Sequence, residues 1–286
     1  MQLRKSERKK ARIKMALQGP SGSGKTMSAL LLAKGLVKDW SKVAIIDTEN
    51  NSADLYSHLG EFNVLTLSPK FTPERYIKAI EICEEAGIEV IIIDSISHEW
   101  EGNGGILETH AGMTGNSFTN WSKLTPRHNA FIQKILQSDC HIIGTIRSKQ
   151  AYVLTEKNGK NIPEKVGLKG ITREGLDYEF TLVFELDSKH KVNTSKDRTG
   201  LFMDRPGFII TETTGSIIND WCHSGTDLAA VKAKILTCKK EEELNALYHQ
   251  YTEWYGHLED DFKNQKQKIK NLQFINNKTS QNGITN

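Results

Sequence analysis

Cysteine is sparse in this chain of 286 residues: there are four, at positions 83, 140, 222 and 238, with no C-x-x-C pair among them. That argues against a disulfide framework or a thiolate zinc centre and fits a reducing compartment. Long apolar runs are also missing. No stretch approaches the ~18 residues of a membrane helix, so no membrane partner is expected. The charged first ten residues have no apolar segment behind them, which argues against a secretory signal and for a cytoplasmic location. No G-x-S-x-G nucleophile elbow occurs. His98-Glu99-Trp100-Glu101 starts like the zinc-protease H-E-x-x-H, but Gly102 stands where the second histidine belongs.

What is present is an ordinary globular composition, 37% apolar and 26% charged, which is neither disordered nor collagen-like. The length suits one or two domains of ~150 residues. The net charge of +3 is unevenly placed. Residues 1–14 hold seven Lys/Arg against one Glu. Residues 1–11 thus read as a basic arm, either merely solvated or meeting an anionic partner such as nucleic acid.

Along the chain, strand-like and helix-like segments alternate, which predicts an α/β fold with a mostly parallel sheet and right-handed crossovers. Strands are expected at 13–18, 43–47, 64–67, 89–94, 141–146 and 180–186, with a further hairpin within 189–210. Thr72-Pro73-Glu74 reads as one helix start and Thr125-Pro126 as another. Residues 148–172 are polar and Lys-rich, too long for an ordinary loop in a compact domain. After about residue 225 three amphipathic helices are expected. The chain is accordingly divided into the arm 1–11, a core 12–225, a helical appendage 226–275 and a disordered tail 276–286.

Gly19-Pro20-Ser21-Gly22-Ser23-Gly24-Lys25-Thr26 fits the phosphate-loop pattern G-x-x-x-x-G-K-[ST], with a strand before it and a helix after it. Glycines let the backbone curl so that successive N–H groups point at phosphate oxygens, and the helix N-terminus adds its positive dipole end. The expected nucleotide contacts are Gly19, Pro20, Ser21, Gly22, Ser23, Gly24, Lys25, Thr26 and Met27. Lys25 is expected on the β- and γ-phosphates and Thr26 on Mg²⁺. Asp94, closing the Ile-rich strand, is the second Mg²⁺ candidate. Glu49 lies just past the second strand, at the sheet edge where α/β proteins bind ligands, and is the candidate general base, with Asp47 as the alternative. No guanine-reading N/T-K-x-D segment occurs, so ATP is the expected nucleotide.

These residues resemble the RecA-like ATPase core: Glu49 after the second strand, Asp94-Ser95 closing Val90 to Ile93, and Ile142 to Arg147 before a long polar loop. In that family the post-strand glutamate activates water, and a polar residue ending the later strand senses γ-phosphate. Thr145 stands at that place here, with Arg147 the alternative. Thr194-Ser195-Lys196-Asp197-Arg198 resembles the K-x-R element of DnaB-type helicases, whose cations reach the ATP of a neighbouring subunit. That resemblance makes Lys196 and Arg198 catalytic candidates in a homo-oligomeric ring or filament. Residues 12–225 as a whole are similar to phage-encoded AAA-type, RecA-like nucleotide-binding proteins. The resemblance implies ATP hydrolysis and a role on single-stranded DNA in recombination or replication, inside a bacterial host. Lys149, Lys157, Lys160, Lys165 and Lys169, with Tyr152 among them, suit a single-strand path. Two other readings remain open, a non-hydrolytic ATP-binding scaffold for strand annealing or partner recruitment and a P-loop kinase.

Overall fold

The apolar runs become the strands of one sheet. β1 (Lys14–Gly19), β2 (Val43–Asp47), β3 (Asn63–Thr66), β4 (Val90–Asp94), the first part of β5 (His141–Lys157) and β7 (Leu182–Leu186) run parallel. β8 (Val192–Asp197) closes one edge antiparallel to β7. The order is β3-β2-β4-β5-β1-β7-β8, and β6 (Lys160–Gly170) pairs with β5. β5 therefore lies between β1, which feeds the phosphate loop, and β4, which ends in Asp94. The computed structural model describes residues 11–157, 160–203, 205–223, 228–252 and 255–282. All but the last residue of the basic arm lies outside the described residues.

The strands are apolar on both sides because helices cover both faces. Alternate residues of β4 show it. Ile91 and Ile93 join a cluster with Tyr76, Ile80 and Phe131, from α2 (Pro73–Glu85) and α5 (Ser117–Gln137). Val90 and Ile92 join the opposite cluster with Leu30, Leu32 and Phe184, from α1 (Lys25–Leu36) and β7. Two short helices, α3 (Ser97–Glu101) and α4 (Ile106–Ala111), follow β4. This is the expected α/β P-loop core, a mostly parallel eight-stranded sheet flanked by helices.

Three expectations need correction. Thr125-Pro126 does not open a helix: α5 starts at Ser117, where the Asn116 side chain accepts from the N–H groups of Phe118 (2.9 Å) and Thr119 (3.3 Å). Pro126 sits inside the helix, giving up one N–H there. The segment 148–172 is mostly not loop. β5 runs on beyond the sheet and pairs antiparallel with β6 from Ser148↔Gly170 to Lys157↔Lys160, forming a long two-stranded ribbon. The hairpin expected within 189–210 reduces to β8 pairing back on β7, plus a single bridge from Val192 to Phe208. Beyond these, α6 (Glu212–His223) was not expected at all.

α6 packs on α1 through two glycines. A Cβ on Gly35 would strike the backbone of Glu212 and Gly215, and one on Gly215 would strike the backbone of Leu32 and Gly35. Neither obstacle is a side chain that can swing away. Gly215→Val should therefore destabilise the core by at least the ~1–3 kcal/mol typical of overpacking. A lowered urea midpoint at unchanged slope is the expected record; an unchanged midpoint would show that the helices part freely.

The chain divides into two compact units, one of them Lys10–His223. In the other, α7 (Leu228–Thr237), α8 (Glu241–Gln250) and α9 (Tyr255–Asn282) share a small core of Val231, Ile235, Leu244, Leu258, Phe262 and Ile269. Two tyrosines at the end of α8 serve packing: Tyr248 meets Phe262 edge-on at 5.8 Å, and Tyr251, just past the helix, packs against the core. α9 continues to Asn282, past residue 276 where a disordered tail was expected. No Gly or Pro stop occurs there before Gly283. Among the described residues no helix is long and apolar enough to cross a membrane.

Candidate functional site

β1 delivers Gly19 to the C-terminal edge of the sheet and α1 begins at Lys25. Between them Gly22 (φ 75°) and Gly24 (φ 83°) take the left-handed backbone that turns the chain back on itself. A Cβ on Gly22 would meet nothing within 4 Å, so the loop is open there. At Gly24 a Cβ would press on the ring of His190, whose Nδ1 lies 3.1 Å from the Ser23 carbonyl oxygen. The β7–β8 turn thus braces the phosphate loop. Nothing in the sequence around His190 signals that contact.

Lys25 Nζ donates to the carbonyl oxygens of Gly19 (3.0 Å) and Pro20 (2.8 Å). Burial pushes its pKa below the ordinary lysine value against the pull of Asp94 and Glu49. Thr26 Oγ1 donates to Asp94 Oδ2 at 2.6 Å, and Thr145 Oγ1 donates to Asp94 Oδ1 at 2.5 Å. Burial raises the Asp94 pKa, outweighing those two hydrogen bonds. Thr145 is fully buried beside Asp94, its hydroxyl committed to that carboxylate.

Glu49 reaches across the end of β4 to Arg147. Nε donates to Oε1 at 2.9 Å and Nη2 to Oε2 at 2.5 Å. Burial alone would raise the Glu49 pKa, but the guanidinium's hydrogen bonds and charge outweigh it and hold the carboxyl below its usual range. Asp47, the alternative base, is fully buried. Its two oxygens accept from the backbone N–H groups of Glu49 (2.6 Å) and Ala53 (2.8 Å), so it shapes the loop that carries Glu49. Thr48 ties the same loop to β4: its N–H donates to the Asp94 carbonyl (2.8 Å) and its hydroxyl accepts from Ser95 N–H (2.8 Å).

A cavity of about 500 Å³ opens over these groups. Its walls include Lys25, Thr26, Glu49, Asp94 and Arg147. Ser21, Gly22 and Gly24 also line it, while Gly19 and Ser23 are buried in the loop and half-buried Met27 is not part of the wall. Tyr56 and Glu101 share the wall; neither belongs to a motif, and only the folded chain brings them here.

The match to a family model described as an AAA domain spans residues 11–213. The chain belongs to the AAA domain family. No curated protein matches it. Among solved structures, a KaiC-like protein from the hyperthermophilic archaeon Pyrococcus horikoshii OT3 is similar at 16% identity, covering 65% of this chain and 79% of that one, with a TM-score of 0.38. The family match takes in the phosphate loop, Glu49, Asp94, Arg147, Lys196 and Arg198, and makes this a P-loop ATPase domain.

Two candidates of the AAA domain stand apart from its cavity. Lys196 Nζ donates to the carbonyl oxygens of Asp177 (3.0 Å) and Tyr178, and Arg198 Nη2 donates to Tyr178 O at 3.2 Å. Lys196 lies in β8 and Arg198 directly follows it, and neither lines the phosphate cavity of its own chain. Trp121 is engaged in packing, stacked on His110 (4.3 Å) and Trp100 (5.9 Å). His128 is a core histidine paired with buried Glu99 at 3.0 Å.

Proposed function

We propose that this AAA domain is a Mg²⁺-dependent, RecA-like ATPase that assembles as a ring or filament and works on single-stranded DNA, in phage recombination or replication. One observation carries the ATPase reading: a lysine at a helix N-terminus, a threonine–aspartate pair and a glutamate converge on a single cavity beside the phosphate loop. The open side of Gly22 and the donor set of Ser21 to Thr26 suit a polyphosphate. Thr26 and Asp94 offer one hydroxyl and one carboxylate, which suits Mg²⁺ arriving on phosphates, because that ion keeps several waters and takes few protein ligands. Among the described residues no cluster of three or more His, Cys, Asp or Glu could hold a metal by itself. When bound, the ion would neutralise phosphate charge.

The chain's own groups then divide the work. Lys25 and the loop N–H groups hold the phosphates. Thr145 fixes the Asp94 carboxylate and answers to the γ-phosphate through it. Glu49 takes the proton from the attacking water. Lys196 and Arg198, which do not line their own cavity, act on the nucleotide of a neighbouring copy.

The DNA reading is supported by the ribbon. Segment 148–170 carries five lysines against two glutamates, and the pairing sets Lys149 opposite Lys169 and Lys157 opposite Lys160. Replacing Lys157, Lys160 and Lys165 together by alanine should weaken binding of oligo-dT. It should also flatten the slope of log K against log salt by about 2, three cations at ~0.7 each for a single strand. Fluorescence anisotropy across a salt series measures both. Unchanged affinity and slope would remove the ribbon from the DNA path.

A further inference from the structure

A second cavity, of about 240 Å³, opens between α5 and the turn that follows β6. His128 lines it with Nδ1 already spent. That nitrogen lies 3.1 and 3.0 Å from the two oxygens of Glu99, a carboxylate with no exposed surface. A carboxylate accepts, so Nδ1 donates, and in the neutral ring Nε2 is then a free acceptor. Trp100 meets the ring edge-on at 5.5 Å, so the imidazole is held from two sides. Its side chain is only 5% exposed. Packing alone does not call for a buried imidazole oriented in this way on a cavity wall.

The rest of the wall suits one nucleotide. Asn129 and Gln133 stand one helical turn apart on α5, and each amide offers a donor and an acceptor side by side. Adenine matches that pattern with its amino group and the neighbouring ring nitrogen. Ile132 and Leu176, both buried, supply apolar surface for the faces of a base. Arg173 supplies a fork of donors for a phosphate. Glu174 pairs with Lys169 at 3.4 Å, and among the described residues no carboxylate is bonded to Arg173. Glu174 and Glu179 share the wall and would repel a polyphosphate, so a single phosphate is favoured over the triphosphate of the first cavity. Arg173 also lines a neighbouring cavity of about 300 Å³ that reaches Lys169 in β6. A phosphate on Arg173 can therefore belong to a free nucleotide or to a strand leading from the ribbon.

We propose that this cavity is a second nucleotide site, which takes one adenine nucleotide with a single phosphate, free or within a single strand. The strand form rests on the DNA reading and the free form does not. The test uses the full chain carrying Lys25→Ala, whose phosphate loop is broken. Equilibrium dialysis with labelled AMP and TMP reads the free nucleotide, and fluorescence anisotropy with oligo-dA and oligo-dT reads the strand. AMP should bind one per chain and at least about 10-fold tighter than TMP, or oligo-dA should be preferred over oligo-dT, as a bidentate base contact provides. Asn129→Ala/Gln133→Ala should erase the preference, and Arg173→Ala should weaken both bases alike. Asn129 and Gln133 are exposed and Arg173 is half-buried, so the core does not depend on them. AMP bound while no oligonucleotide binds would keep the site and remove the DNA reading. Oligo-dA preferred while AMP fails to bind would assign the site to the strand. No binding of AMP together with no preference for oligo-dA would overturn the site, and so would binding that these variants leave intact.

Discussion

Glutamine in place of Glu49 is expected to cut ATP turnover by ~10²–10⁴-fold while ATP binding survives, the range that a general base supplies. Glutamine has the same shape and keeps one oxygen for Arg147, so the loop after β2 has no reason to move. That loop is held by other groups, the Asp47 carboxylate and the Thr48 contacts to Asp94 and Ser95. What disappears is a group able to accept a proton. Asp47 cannot step in, because it is buried with both oxygens on backbone N–H groups. Phosphate release gives the turnover and titration with a fluorescent ATP analogue gives the affinity. Full turnover in the variant would move the base elsewhere. Strand annealing that survives while hydrolysis is lost would favour an ATP-binding scaffold over a motor.

The legible parts of this chain were those whose signals are local. The phosphate loop announces itself in eight consecutive residues, and its meaning depends only on a strand before and a helix after. Val90 to Ile93 reads as a strand because it is apolar at every position, and Asp94 follows from it. The misreadings share a physical cause. Pro126 looks like a first helical residue, yet the capping side chain that starts α5 is Asn116, and a proline inside a helix is tolerated when packing holds both sides. The ribbon escaped notice because two polar segments show no core-facing pattern until they pair. Asn158-Gly159, two residues between the facing ends Lys157 and Lys160, was the available hairpin signal. In the site, Lys25, Thr26 and Asp94 converge as motif spacing implies. The Glu49–Arg147 fork and the His190 brace are created by strand order, which no local pattern encodes.

Alanine at both Lys196 and Arg198 is expected to lower turnover by ~10³–10⁵-fold, as loss of an arginine finger does. The physical case is one of placement. Charge builds on the γ-phosphoryl oxygens as the bond breaks, and an inserted cation is worth most where water is excluded. In a single chain these two cations sit on Asp177 and Tyr178 carbonyl oxygens at the sheet edge, with no part in the walls of their own cavity. If they act on a nucleotide presented by another copy, as proposed, assembly governs the rate. Wild-type turnover per chain should therefore fall on dilution, and the double variant should be slow at every concentration. Mixing gives the sharper discrimination. A Lys25→Ala chain has intact cations and a broken phosphate loop, and the Lys196→Ala/Arg198→Ala chain has the reverse. Each should be nearly inactive alone, and a mixture should recover turnover, because one of the interfaces between unlike chains is complete. A mixture no faster than its parts, with wild-type turnover indifferent to dilution, would show that one chain hydrolyses ATP alone.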